Sequence, residues 1–132
     1  MYYFAYGAYL CHKQMLERCH DSKPVFKATL PNYKLIFTGW SRWWRGGVAS
    51  IKRVQDEKIV GGVYEISEKC LKSLDNFEKS YDRLNVVVFS EDGNPIEAVT
   101  YIKREQTDET EPSKLYLDIM RQGYQDWKII KP

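Results

Sequence analysis

The chain has 132 residues, enough for one compact domain with a core of its own, and a single domain over residues 1–132 is expected. Its 43% hydrophobic and 29% charged residues are ordinary for a soluble globular protein, and a net charge of +2 argues against a nucleic-acid partner. No apolar run reaches membrane-spanning length and no signal-peptide layout opens the chain, so the expected location is cytoplasmic with no membrane partner.

Tyr2 to Tyr6 is short and aromatic-rich and runs into Gly7, which predicts an opening strand ending in a tight turn. Lys13 to Cys19 follows as a helix with Met15, Leu16 and Cys19 on one face, closed by Pro24. Val25 to Leu30 and Tyr33 to Phe37 read as two strands around a Pro31-Asn32 turn. Thr38 to Gly47 reads as a loop carrying Trp40, Trp43, Trp44, Arg42 and Arg45. Val48 to Arg53 and Ile59 to Ile66 read as further strands around the polar Gln55–Lys58 turn.

Ser67 to Arg83 is the most informative stretch. Ser67 is a plausible N-cap, and Cys70, Leu71, Leu74 and Phe77 recur at helical spacing. Glu78 falls on the same stripe, seven residues after Leu71 and four after Leu74. Two readings stand here. Either an acid is turned toward the apolar side, where desolvation raises its pKa into a range useful for proton transfer, or the helix ends before it and it is a solvated charge.

Leu84 to Phe89 and Ile96 to Ile102 form strands about a Glu91–Asn94 hairpin turn, and Lys103 to Glu111 is a surface loop. Pro112 suits the first turn of a last helix with Leu115, Tyr116, Ile119 and Met120 on one face and Gly123 at its end. Trp127, Ile129 and Ile130 are apolar enough to dock the tail. Many short strands with few helices give an α+β domain, a small mixed β-barrel of about six to seven strands with two to three peripheral helices.

Chemistry-bearing patterns are sparse. The βαβ rhythm, GxGxxG and P-loop devices for nucleotides are missing. Cys11-His12 and Cys19-His20 lack metal-ligand spacing and would sit about 12 Å apart across a helix, so no metal is expected, and both histidines are read as surface residues. Three cysteines form no disulfide framework and fit a reducing compartment. Residues 1–54 hold 9 Lys/Arg and 2 Asp/Glu, a local +7 that could steer an anionic ligand. The Trp/Arg loop is read as a pocket wall or homodimer contact, with a base-stacking surface as the weaker reading. The Tyr6–Leu10 turn offers backbone N–H groups to a carboxylate, and Gly46 and Gly47 permit close approach of a ligand or another backbone.

YFAYGAYL, GGVASI, VGGVYEI, LDNFEKSYDR, AVTYI and PSKLYLDIMRQG occur in the order seen in the γ-glutamylcyclotransferase-like (AIG2-like) family, and nearly the whole chain resembles it. The resemblance implies a small mixed barrel and conversion of a γ-glutamyl amide to 5-oxoproline plus a free amine, without cofactor or metal. It implies Glu78 as general acid/base. It also implies substrate contacts at Tyr6, Gly7, Ala8, Tyr9 and Leu10, with Tyr116 touching the substrate, and Gly47 is expected beside them. The family's YGSNL loop reads YGAYL here, so Ala8 and Tyr9 replace Ser and Asn, and Tyr9 would take up pocket volume. The segment from Glu78 to Tyr81-Asp82-Arg83 is also shorter than the family's. The alternative is a non-catalytic protein that binds a small carboxylate on the same fold.

Overall fold

A computed structural model describes residues 1–106 and 108–130; Thr107, inside the expected surface loop, and Lys131 and Pro132 lie outside the described residues. Five strands, β1 (Tyr2–Ala5), β2 (Lys23–Ser41), β3 (Gly46–Glu65), β4 (Tyr81–Ser90) and β5 (Pro95–Lys103), close into a barrel in the order β1-β3-β2-β4-β5. Three helices accompany them: α1 (His12–Arg18), α2 (Glu68–Phe77) and α3 (Lys114–Asp126), with a short 3-10 turn at Ala8–Leu10. The class is the expected α+β mixed barrel, but with five strands rather than six to seven.

The count falls because two expected turns are bulges within long strands. Pro31-Asn32 faces Gln55–Lys58 across the β2–β3 ladder, where pairing skips from Pro31↔Lys58 to Tyr33↔Arg53. Asn32 and Asp56 take left-handed backbone (φ 65° and 69°), and the Asp56 N–H donates to the Asn32 side chain at 3.1 Å. The extra residues are absorbed with the ladder intact. The Thr38–Gly47 loop is likewise the end of a hairpin, since β2 runs to Ser41 and β3 begins at Gly46.

Strand alternation puts one set of side chains inside the barrel and the other under the helices. Phe4, Leu30, Ile51, Val63 and Val88 pack inside with Tyr116 and Met120 of α3; Tyr3, Tyr64 and Tyr101 meet Leu10, Met15, Leu71 and Leu74 outside. The barrel closes where β1 meets β5 in parallel at Tyr3↔Val99, helped by the buried Thr100 hydroxyl, which donates to the Phe4 carbonyl at 2.7 Å.

Several local expectations are corrected. Leu16 and Leu115 are exposed, so the buried stripes of α1 and α3 are narrower than their apolar spacing suggests. Gly123 lies inside α3 against Leu10, and the helix continues to Asp126. His12 is not a surface residue: its ring packs edge-on against Trp127 and Tyr64, 5.0 and 6.0 Å between centroids. Cys19 and Cys70 are joined as a disulfide between the end of α1 and the start of α2, which corrects the all-thiol reading; Cys11 is free and buried. Of the tail, Trp127 is buried and Ile130 is exposed. Among the described residues no helix is long and apolar enough to cross a membrane.

Candidate active site

Helix α2 begins as its sequence dictates, with the Ser67 hydroxyl accepting the Cys70 N–H at 3.1 Å, and buries Cys70, Leu71 and Leu74. It ends one residue before Glu78. Phe77 leaves the stripe and is 54% exposed, its ring lying 4.2 Å beneath the Arg18 guanidinium. Glu78 is the C-cap: its N–H still reaches the Leu74 carbonyl at 2.8 Å, but its backbone (φ −104°, ψ 49°) breaks the helix. A tight turn follows, Tyr81 N–H to Glu78 C=O at 3.0 Å. Helix termination, rather than helical phase, therefore places the half-buried acid in the wall of a cavity of about 580 Å³. That volume falls in the range of small-molecule sites.

The opposite wall is the Tyr6–Leu10 turn. Leu10 and Cys11 donate back to the Gly7 and Ala8 carbonyls at 3.0 and 3.1 Å, and the Ala8 backbone is directed at the Tyr116 hydroxyl. Gly7 sits in close quarters: a Cβ there would lie 3.0 Å from the Ala49 Cβ and 3.1 Å from the Tyr116 hydroxyl, tighter than ordinary contact. Tyr116 stands behind the turn and accepts the Ala49 N–H at 3.1 Å.

Burial pushes the Glu78 carboxyl above the usual glutamate range, while the Tyr9 hydroxyl and the Arg18 and Lys103 charges pull it back. The surrounding phenols are held protonated. Tyr3 and Tyr9 are pushed up by burial and then by the Glu78 charge, Tyr6 and Tyr81 by burial and then by neighbouring phenols ahead of Glu78, and Tyr116 is raised to about 12 mainly by burial. Two of these hydroxyls are fixed on backbone: Tyr6 donates to the Tyr101 carbonyl at 2.6 Å and Tyr81 to the Ala49 carbonyl at 2.7 Å. The arrangement is one acid of raised pKa in an aromatic wall, two nearby cations and, among the described residues lining the cavity, no serine or cysteine set beside a histidine.

Of the expected site residues, Glu78, Tyr6, Gly7, Ala8, Tyr9 and Tyr116 line this cavity together. Leu10 and Gly47 do not. Leu10 is fully buried in the core, and Gly47 serves the other use foreseen for it, approach of another backbone, with its N–H on the Glu111 carbonyl at 2.9 Å. Asp75, three residues before Glu78, points elsewhere; its carboxylate takes a two-pronged contact from Arg83 and a 2.5 Å hydrogen bond from the Tyr101 hydroxyl. Despite the short connection, Tyr81 reaches the cavity. Trp40, Trp43 and Trp44 also line it, so the hairpin end is a pocket wall, with Trp44 edge-on to Tyr116 at 5.1 Å.

Arg18 and Lys103 went unread in the sequence. Arg18 looks like an ordinary cation at a helix C-terminus and Lys103 like the first residue of a polar loop. Each would have been found only by asking which charges flank Glu78 in space. The donor cluster Cys19, Asp21 and Cys70 lies away from this cavity, with its two sulfurs bonded to each other.

A family model described as "Gamma-glutamyl cyclotransferase, AIG2-like" matches residues 3–128. Human gamma-glutamylcyclotransferase is 31% identical over 92% of this chain and 68% of its own length, and the bovine protein is 32% identical over the same shares. A solved structure of a gamma-glutamyl cyclotransferase superposes with a TM-score of 0.91 at 25% identity, covering 100% of this chain and 88% of that one.

Proposed function

The chain belongs to the gamma-glutamyl cyclotransferase, AIG2-like family of enzymes that form 5-oxoproline by cyclisation, and we propose that its own substrate is a γ-glutamyl amide turned over at Glu78. The substrate supplies the nucleophile. Its α-amino nitrogen bonds to the γ-carbonyl carbon, the bond from that carbon to the amide nitrogen breaks, and 5-oxoproline leaves with a free amine. The protein must orient the chain for ring closure, take a proton from the α-ammonium and return one to the departing nitrogen. One carboxyl does both in sequence, and no other charge relay is needed. The Tyr6–Tyr9 turn, which lines the cavity, is where a substrate carboxylate or the developing oxyanion would meet main-chain N–H groups.

The observation that carries this reading is Glu78 itself: a half-buried carboxyl, raised in pKa by burial, in a cavity shared with the Tyr6–Tyr9 turn. Glu78→Gln should keep the fold and ligand binding while lowering 5-oxoproline release by about 10²-fold or more. Near-normal release by that variant would overturn the role. In this reading the partner is the small molecule and the location is cytoplasmic, a compartment in which the Cys19–Cys70 bridge would have to be maintained against reductant.

The second reading, a small-carboxylate binding protein, is favoured by Tyr9, whose side chain lies against Glu78 and fills part of the cavity. Binding of γ-glutamyl dipeptides or γ-glutamyl-ε-lysine with no amine release would select it.

A further inference from the structure

The cavity has a mouth whose chemistry the cyclisation step does not use. Trp40 and Trp43 at the hairpin end are 66% and 75% exposed, yet both line the Glu78 cavity. Lys103 lies beside them. Its Cε would be 2.9 Å from a Cβ on Gly39, whose left-handed backbone (φ 69°) sits just before Trp40. The Lys103 ammonium is held from two sides, 3.1 Å from the Ser80 hydroxyl and 5.2 Å from the Tyr81 ring centroid, and its N–H is fixed on the Ser50 hydroxyl at 3.0 Å. Arg18 lies by the Tyr9 side of Glu78 with its Nε buried and without a hydrogen-bond partner. Among the described residues neither Arg18 nor Lys103 takes part in an ion pair. Two cations that act on Glu78 by charge but are in no close ion pair thus flank one acid, and a γ-glutamyl amino acid brings two carboxylates, one on the glutamyl part and one on the leaving residue.

We propose that the Trp40–Trp43–Lys103 mouth selects the leaving group: an amino acid with a free α-carboxylate, held by Lys103, and a large aromatic or apolar side chain, laid on the tryptophans. This rests on the cyclisation reading and narrows it to one substrate class. Lys103 supplies charge recognition, the indole faces supply area for an apolar side chain, and Arg18 is left for the glutamyl carboxylate beside the Tyr6–Tyr9 turn.

The test measures binding to Glu78→Gln by calorimetry, using γ-glutamyl-tryptophan, γ-glutamyl-alanine and γ-glutamyl-tryptophanamide. The acid with the indole should bind about tenfold or more tighter than either of the others. Adding Lys103→Met should erase the preference for acid over amide but keep that for tryptophan over alanine, and Lys103→Arg should restore it. Trp40→Ala with Trp43→Ala should do the reverse. Equal binding of the three ligands, no binding of any, or equal weakening of acid and amide by Lys103→Met would overturn the proposal. Turnover by the wild type is scored separately. Failure to release 5-oxoproline from any of the three refutes the cyclisation reading, while the binding order still decides the mouth.

Discussion

Glu78 gains its character from what surrounds it rather than from its position in a helix. The Tyr9 hydroxyl and the Arg18 charge both favour the ionised carboxylate against a burial that opposes it. Tyr9→Phe or Arg18→Met should therefore raise the Glu78 pKa further, and the acid limb of the kcat/KM–pH profile should move to higher pH. An unmoved limb would mean that another group controls it. Stability offers an independent readout. A carboxyl whose folded pKa is raised above the ordinary 4.5 binds its proton better folded than unfolded, so ionisation costs stability as pH rises through the folded value. Glu78→Gln should melt higher than the wild type at neutral pH, and the gap should close below about pH 4, where both states are protonated. The apolar stripe drew attention to Glu78, but the helix ends before it and the turn after Phe77 is what sets the carboxyl in the cavity wall. Its partners were not legible in the sequence, because Arg18 and Lys103 are distant in sequence and each has an ordinary local explanation.

Among elements, α1 and α2 carry the two sides of the acid's surroundings, Arg18 at one helix end and Glu78 at the other. They are tied by the Cys19–Cys70 bridge across 51 residues of sequence and by the Ser67 hydroxyl, which donates to Asp21 at 2.6 Å. On the loop-entropy account a bridge of that span contributes about 4 kcal/mol. Reductant, or Cys70→Ser, should lower the melting temperature accordingly and raise KM as Arg18 loses its fixed place, whereas Cys11→Ser should do neither. Element types were readable from periodicity and from the Ser67 and Glu91–Asn94 signals. The merging of four expected strands into β2 and β3 was not. Asn32 and Asp56 carry turn chemistry, and only their pairing across the ladder makes that chemistry a bulge. The bridge was hidden for a similar reason: two cysteines far apart in sequence meet only once both helices pack on the barrel.

For the molecule as a whole, the barrel is held shut at its shortest seam and at its back. Trp127, just beyond α3, is buried, and its indole N–H donates to the Leu10 carbonyl at 2.8 Å, while Tyr64 donates to the Tyr9 carbonyl at 2.7 Å. The cavity-lining turn is thus braced from behind by two residues that do not line the cavity. Trp127→Ala should cost about 3–5 kcal/mol, checked by denaturant unfolding, and the folded fraction should bind γ-glutamyl ligands more weakly than the wild type. Trp127→Phe, which keeps much of the packing but loses the hydrogen bond, should fall between them. Barrel class and family could be read from six short motifs in order. Closure could not, since it depends on one parallel contact and a buried threonine.

The Leu10–Trp127 hydrogen bond spans 117 residues, and β1 is seated between β3 and β5. Within this domain β1 is therefore made before the residues that seat it, and it is among the last parts to find its place. The β2–β3 hairpin can form while synthesis continues, but the cavity-lining turn lacks its Trp127 brace until residue 127 has emerged. Ligand binding to a nascent chain should accordingly appear in one step once residue 127 has emerged, and ligand added before that point should leave the earlier folding events untouched.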